Sequence, residues 1–120
     1  MPGAGGTQRL IRSVGKSLAS KMVLAEKVSP LSEHSRPGWL ATSPPRLTLN
    51  TPYSCASKMA RHSPLALQAA KQALRQSQEV ALQAGLAQER QLFTLLAATE
   101  DRHEGISAFL QKRTPDFKGR

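Results

Sequence analysis

The sequence predicts a mainly helical fold, and three observations support that prediction. Residues 56–120 are rich in Ala, Leu, Gln, Lys and Glu, which are strong helix formers. Apolar residues recur there, and near the N-terminus, at spacings of three and four, which is the period of one helix face. Five of the eight prolines lie within residues 25–55. The periodic parts are therefore nearly free of helix breakers.

Residues 1–24 begin with a glycine-rich turn, PGAGGT at positions 2–7, which leads into a helix. Thr7 is a candidate cap, and four apolar residues share a helical spacing: Leu10, Ile11, Val14 and Leu18. A glycine-rich turn before a helix can hold an anion. A loop that merely packs closely explains the glycines equally well.

Residues 25–55 differ from the rest because no apolar period survives among their prolines. The only Trp, Tyr and Cys of the chain also lie here, at Trp39, Tyr53 and Cys55. Composition alone predicts a linker or a disordered segment.

Residues 56–120 predict three helices. Ser63 followed by Pro64 is typical of a helix start, and the first helix is expected over Leu65–Ala84, with a break at Gly85. A second amphipathic stretch, Leu86–Ala98, has an apolar part made of Leu92, Phe93, Leu95 and Leu96.

The third helix is expected to begin with a capping box formed by Asp101 and Glu104. It carries Ile106, Phe109 and Leu110, and it ends at Lys112-Arg113, where cations suit a helix C-terminus.

Charge and composition limit the function classes. The chain has 17 basic and 8 acidic residues, a formal charge of +9, and most of the excess lies in residues 1–62. This balance suits a polyanion or a phosphate-bearing ligand, although solvated surface is its common explanation. The sequence has no apolar run long enough to cross a membrane and no signal peptide, which predicts a soluble, cytoplasmic protein.

Metal and thiol chemistry have little support. The lone Cys55 excludes an internal disulfide and a cysteine-based zinc cluster, and a free surface thiol is its expected state. His34, His62 and His103 lack ligand spacing. We therefore expect no metal site.

Three stretches carry a resemblance to a known family. They are PGAGGTQRL at 2–10, VGKSLA at 14–19 and ATEDRHEGISAFLQKRTPDFKG at 98–119. Together they are similar to the C-terminal part of the enoyl-CoA hydratase/isomerase (crotonase) family. The sequence resembles in particular the bacterial hydratases of phenylacetate breakdown. This implies addition of water across the 2,3 double bond of an acyl-CoA.

The resemblance implies the C-terminal helical part of a crotonase fold that lacks the upstream β-rich spiral core and has a disordered middle. The expected units are residues 1–24, a glycine-rich turn and helix of the core; 25–55, the anomalous segment; and 56–120, the three-helix region. The resemblance also implies general acid/base catalysis, in which two glutamates hold and activate a water molecule and two backbone N–H groups form an oxyanion hole.

The resemblance places all four of those groups upstream of the glycine-rich turn, so no catalytic residue is assigned to this chain. Its glutamates are expected to be solvated charges: Glu26, Glu33, Glu79, Glu89, Glu100 and Glu104.

Binding residues are implied by the matching positions. Gly5 and Gly6 correspond to the turn beneath the active site. Phe93, Phe109 and Lys112 correspond to positions that hold the adenine and phosphate end of CoA, often from a neighbouring subunit. The alternative is that both Phe residues are core anchors, and for Phe109 the two roles are equally open. The expected partners are acyl-CoA, as substrate and with no separate cofactor, and further copies of the chain, since the family forms trimers and hexamers.

The segment 25–55 departs from the family pattern. When its codons are shifted by one base, Val28–Pro44 can encode ITAQRALEAGLVSHVT, which is crotonase-like, helical in period and free of proline. We hypothesise a segment translated in a shifted frame, with the native frame recovered near Cys55. Stop codons in the alternate frame of the gene would contradict this.

Three function classes follow. The favoured one is a truncated hydratase-family chain that is inactive alone. The second is an active minimal hydratase. The third is a basic helical nucleic-acid-binding or interaction protein, which scarce aromatics and missing motifs disfavour.

Overall fold

Two short helices form the N-terminal part of the fold. The computed structural model describes residues 1–25 and 50–120. Helix α1 spans Gly6–Val14 and helix α2 spans Lys16–Ala25, with Gly15 between them. The predicted helix after the glycine-rich turn is therefore confirmed, in two pieces. Gly5, not Thr7, is the N-cap residue of α1.

Four further helices follow: α3 (Asn50–Met59), α4 (Pro64–Gln76), α5 (Leu82–Ala97) and α6 (Glu100–Leu110). Every regular element within residues 1–25 and 50–120 is a helix, so the mainly helical class is confirmed. α3 begins inside the segment that we set apart as 25–55, with Pro52 in its first turn, where a missing N–H is tolerated. The predicted disordered middle otherwise lies outside the described residues.

The start of α4 is the one predicted from Ser63-Pro64. The Ser63 hydroxyl accepts a hydrogen bond from Ala66 N–H at 3.4 Å, and Pro64 opens the helix. Its end was predicted wrongly, because α4 stops at Gln76 and not at Ala84. The turn after it is stabilised by polar bonds: Ser77 Oγ donates to Leu74 O at 2.8 Å, and Arg12 Nη2 donates to Val80 O at 3.0 Å.

The predicted break at Gly85 is also wrong, since this glycine lies inside α5. Its small size serves packing. A Cβ at this position would lie 2.1 Å from Gln8 Oε1. The glycine lets α1 and α5 approach closely without ending the helix.

The cap of α6 differs from the expected capping box. Thr99 is the N-cap, and its hydroxyl accepts a hydrogen bond from Arg102 N–H at 3.3 Å. Asp101 is the second residue of α6, and its side chain is buried. Its carboxylate has partners elsewhere in the fold, described below.

The apolar core lies where α1, α2 and α4 meet. Its fully buried members are Ile11, Val14, Ala19 and Leu74, and partly buried side chains of α1 and α2 surround them: Leu10, Leu18, Val23 and Leu24. Alanines of α4, including Ala70 and Ala73, let the helices approach. Burial of this set supplies the hydrophobic contribution that holds the N-terminal pair on α4.

The C-terminal helices, by contrast, expose large apolar side chains. The exposed fractions are 68% for Leu95, 83% for Phe109 and 74% for Leu110, and Phe93 and Ile106 are about half exposed. The apolar side chains of α5 and α6 therefore lack a covering partner among the described residues, whereas α4 buries its apolar face in the core. No helix of that part of the chain is both long and apolar enough to span a bilayer.

Candidate functional site

The glycine-rich turn has a defined backbone conformation. Ala4 and Gly5 both have left-handed φ angles, 55° and 84°, and Gly6 N–H donates to Gly3 O at 3.0 Å. A left-handed φ costs little at glycine but is strained at Ala4. A side chain at Gly5 would also meet Leu86, since a Cβ there would lie 2.8 Å from Leu86 Cδ2.

The turn is bound to the Glu89 carboxylate of α5. Gly5 N–H donates to Glu89 Oε1 at 2.6 Å, and Thr7 N–H donates to Oε2 at 2.9 Å. The Thr7 hydroxyl donates to the same Oε2. Glu89 is only 3% exposed, so the expectation that it is a solvated charge is wrong. The free N–H groups at the start of α1 stabilise the negative charge there.

The glycine-rich turn does hold an anion, which was one of the two interpretations of its sequence. That anion is the protein's own Glu89 carboxylate. Since Glu89 fills the N-terminus of α1, a phosphate has no place at the same N–H groups.

Gln8 extends the polar network inward. Its side chain is buried, and Nε2 donates to Thr7 Oγ1 and to Ala73 O, both at 3.0 Å. The network joins the turn to α4 as well as to α5. The two bonds of Nε2 therefore hold the turn against two helices, while the buried Gln8 Oε1 has no hydrogen-bond partner among the described residues.

A cavity of about 540 Å³ lies between the C-terminal helices. Apolar side chains make most of its wall, contributed by α2, α4, α5, α6 and the C-terminal tail; they include Val23, Leu67, Phe93, Leu96, Ile106, Phe109, Leu110 and Phe117. Polar groups at its wall come from Ser63, Thr99, Asp101 and Arg102. An apolar cavity with a few polar groups is typical of a ligand site.

Two of the three residues assigned to CoA binding lie in this cavity wall. Phe93 and Phe109 both line it, and Lys112 does not. Lys112 is exposed just beyond α6, with a φ of 54°. The alternative of a core position for Phe109 is wrong for the described residues, because its side chain is 83% exposed.

Phe93 also connects the cavity to the glycine-rich turn. A Cβ at Gly3 would lie 3.3 Å from Phe93 Cε2, so the ring packs directly on the turn backbone. The structure thus brings Phe93 close to the turn that contains Gly5 and Gly6. The two predicted binding regions are neighbours in space.

Asp101 closes one side of the cavity by binding the C-terminal tail. Ser63 Oγ donates to its Oδ2 at 2.6 Å, and Lys118 and Gly119 N–H donate to Oδ1 at 2.8 and 3.1 Å. Burial acts to raise the pKa of Asp101, but these hydrogen bonds outweigh it and the net pKa is lowered. The tail places Phe117 in the cavity wall.

No local feature of the sequence marks Glu89 or Asp101 as part of the site. Acidic residues on a helix usually face water, and their partners here are far away along the chain. The one available signal was the glycine-rich turn, because a turn of this kind before a helix can hold an anion. No group of three His, Cys, Asp or Glu side chains suited to a metal ion occurs among the described residues.

Comparison with known proteins gives a consistent match. The family model for enoyl-CoA hydratase/isomerase matches residues 1–120. The 2,3-dehydroadipyl-CoA hydratase of Escherichia coli (strain K12) is 78% identical over 121 residues, covering 100% of this chain and 48% of that protein. The mitochondrial enoyl-CoA hydratase of Pongo abelii is 40% identical, covering 98% of this chain and 41% of its own length.

A solved structure agrees with these relatives. The enoyl-CoA hydratase from Bacillus anthracis aligns with a TM-score of 0.61 and 35% sequence identity, covering all of this chain and 47% of its own. The chain spans about half the length of the curated relatives it matches. These matches run through residues 25–55 as well, and the shifted-frame hypothesis for that segment stays a prediction.

Proposed function

Because the chain belongs to the enoyl-CoA hydratase/isomerase family, we propose that these residues form the CoA-binding helical part of a hydratase. The proposed reaction is addition of water across the 2,3 double bond of 2,3-dehydroadipyl-CoA, giving the 3-hydroxyacyl-CoA. The 78% identity to the Escherichia coli hydratase of that name supports this substrate. We also propose a role in phenylacetate breakdown and a cytoplasmic location.

The observation that carries the proposal is the shared cavity of Phe93 and Phe109. Aromatic faces stack on an adenine ring, and an apolar wall accepts the pantetheine chain. Arg102 lies at the same cavity, and Lys112 is exposed just after α6, so two cations are available for phosphate groups. The net charge of +9 favours the same polyanionic ligand.

The proposed chemistry needs groups that this part of the fold does not supply. A hydratase of this family would use two glutamates to hold and activate water. Glu89 is unsuited to that role because turn N–H groups and Thr7 already bind its carboxylate oxygens. We expect the 120-residue chain to bind acyl-CoA without turning it over.

Association with further copies is part of the proposal. Phe109 exposes most of its ring, and a ring in that position can stack on a CoA held by a neighbouring subunit. A homo-oligomer, as in the trimers and hexamers of the family, would also cover the apolar faces of α5 and α6. The comparisons give no support to nucleic-acid binding.

Calorimetric titration with a four-carbon 2-enoyl-CoA tests the proposal. We expect Phe109→Ala to weaken binding about tenfold, because it removes a stacking surface. Leu95→Ala is the matched control, since Leu95 is also exposed but does not line the cavity. Equal effects of the two substitutions, or no binding by the wild-type chain, would contradict the proposal.

A spectrophotometric hydration assay on the same preparation tests the second part. We expect no loss of the 2-enoyl absorbance with the chain alone. Measurable turnover would show that the two upstream glutamates are not essential.

A further inference from the structure

One face of α5 follows the glycine-rich turn along its length. Leu86 lies against Gly5, Glu89 binds Gly5 and Thr7, and Phe93 packs on Gly3. Positions 86, 89 and 93 are three and four apart, so they form one stripe of the helix. The stripe contacts the turn at both ends and at its centre.

The Glu89 carboxylate is the polar centre of this stripe. Its two oxygens bind on either side of Gly6: Oε1 accepts from Gly5 N–H, and Oε2 accepts from Thr7 N–H and the Thr7 hydroxyl. This fixes the peptide planes around Gly5, whose φ is 84°. Buried hydrogen bonds to an ionised acceptor are short and directional. The carboxylate therefore selects one orientation of the turn backbone.

The strained backbone of Ala4, next to Gly5, requires surroundings that hold the turn in place. Ala4 has a φ of 55°, a left-handed conformation that is unfavourable for a residue with a Cβ. A strained residue persists when its surroundings determine its conformation. With Gly5 held by Glu89 and Gly3 covered by Phe93, Ala4 is fixed from both sides.

We propose that Glu89 is a positioning residue for acyl-CoA binding. It holds the backbone of the turn at residues 3–6 in the orientation that contacts the acyl group, and it does not touch the substrate itself. The inference rests on the proposed function, together with the family resemblance that places Gly5 and Gly6 in the turn beneath the active site.

Glu89→Gln is the informative substitution, since it keeps the size of the side chain and replaces one acceptor by a donor. The amide has one acceptor oxygen where the carboxylate has two, so either Gly5 N–H or Thr7 N–H loses the oxygen that it binds. Glu79→Gln is the matched control, because Glu79 is exposed and the change in charge is the same.

Two measurements on the full chain separate the two claims. Amide hydrogen exchange reports on the turn: we expect Gly5 or Thr7 N–H to exchange about tenfold faster in Glu89→Gln, with the amides of α4 unchanged. Titration with a four-carbon 2-enoyl-CoA and with CoA lacking the acyl group reports on binding. We expect the acyl-CoA to bind about tenfold more weakly and CoA to bind as before.

The outcomes are distinguishable. Unchanged exchange at Gly5 and Thr7 would overturn the positioning role, whatever happens to binding. Equal loss of affinity for CoA and acyl-CoA would overturn it too, because a general loss of structure weakens both. If the wild-type chain binds neither ligand, the proposed function fails and the proposal for acyl-CoA fails with it. Faster exchange would then show only that Glu89 holds the turn.

Discussion

Gln8 and Gly85 meet where α1 packs against α5. The Gln8 side chain is 1% exposed and its Nε2 donates to Ala73 O at 3.0 Å. Its Oε1 lies 2.1 Å from the position that a Cβ would take at Gly85. Nε2 also donates to Thr7 Oγ1, so two hydrogen bonds hold the Gln8 amide and it has little freedom to move. A glycine that is unfavourable in an isolated helix is therefore favourable at this position.

We expect Gly85→Ala to destabilise the chain. Alanine would gain about 1 kcal/mol of helix propensity, but the clash with buried Gln8 would cost about 1–3 kcal/mol and disturb its bonds. The net loss should be up to about 2 kcal/mol, measured by urea unfolding.

Gly105→Ala is the control within α6. A Cβ there would meet the Phe117 ring at 3.4 and 3.7 Å, which is ordinary contact. We expect this variant to be as stable as wild type, or more stable by up to about 1 kcal/mol. A Gly85→Ala chain that gained stability as well would contradict the close packing of α1 on α5.

Local chemistry decides which residues the sequence could predict. The Ser63-Pro64 helix start was predictable because an N-cap bonds to an N–H three residues away. The packing of Gly85 and the burial of Glu89 were not predictable, because their partners lie in the glycine-rich turn and α1, far away along the chain. The bond from Gly5 to Glu89 joins residues 84 apart in sequence. A local pattern contains no information about such a partner.

At the scale of elements, α6 and the tail after it are joined by an ion pair. Arg113 donates to both oxygens of Glu104, at 2.5 and 2.8 Å, and Asp116 N–H donates to Glu104 Oε1 at 2.8 Å. The bonds from Arg113 lower the pKa of Glu104 to about 2, from an ordinary value of 4.5. The ionised carboxylate thus folds the tail back onto the helix.

This pair predicts a dependence of tail docking on pH. Because the pKa of Glu104 is lower in the folded chain, its contribution is complete above pH 4.5 and is lost as the pH falls toward 2. Asp101, whose pKa is also lowered, changes in the same direction. We expect the amides of residues 116–119 to lose exchange protection on acidification before those of α4.

The Glu104→Gln variant distinguishes the contribution of Glu104 to the pH dependence of tail docking from that of Asp101. This variant should weaken tail docking at neutral pH and leave the smaller acid dependence due to Asp101. A carbon-detected NMR titration would give each pKa directly. A Glu104 pKa near 4.5 in the folded chain would contradict the ion pair.

Elements were easier to predict than their ends. The Ala- and Leu-rich composition of residues 64–97 predicts helices there, and α4 and α5 occupy most of that range. The boundary between them was wrong because Gly85 is a stronger local signal than the Ser77 turn that ends α4. Tertiary contact with Gln8 outweighed the propensity of glycine.

At the scale of the whole molecule, apolar residues fall into two populations. Leu74 is 2% exposed and belongs to the core with Ile11 and Val14, whereas Phe109 is 83% exposed. The crotonase resemblance implies a missing upstream core, but it does not predict that α4 buries its apolar face while α5 and α6 expose theirs. Which residues belong to each population depended on packing, and periodicity alone left the position of Phe109 open.

The two populations should respond differently to truncation. We expect Leu74→Ala to cost about 2–5 kcal/mol of unfolding free energy, because it leaves a cavity in the core. Phe109→Ala should change stability by less than about 0.5 kcal/mol, as is usual for exposed sites. Urea unfolding of both variants tests this, and a large loss for Phe109→Ala would show that the ring is packed in solution.

The bond between Glu89 and the glycine-rich turn also bears on the order of folding. In the unfolded chain its ends are more than 80 residues apart, whereas the helices themselves need only local contacts. Contacts of such long range form slowly, since loop closure must precede them. Glu89 should therefore spend the early stages of folding as a hydrated charge on a formed α5. The Glu89 carboxylate would lose its water when the glycine-rich turn docks on α5. Docking of that turn is therefore expected to be a late, cooperative step of folding.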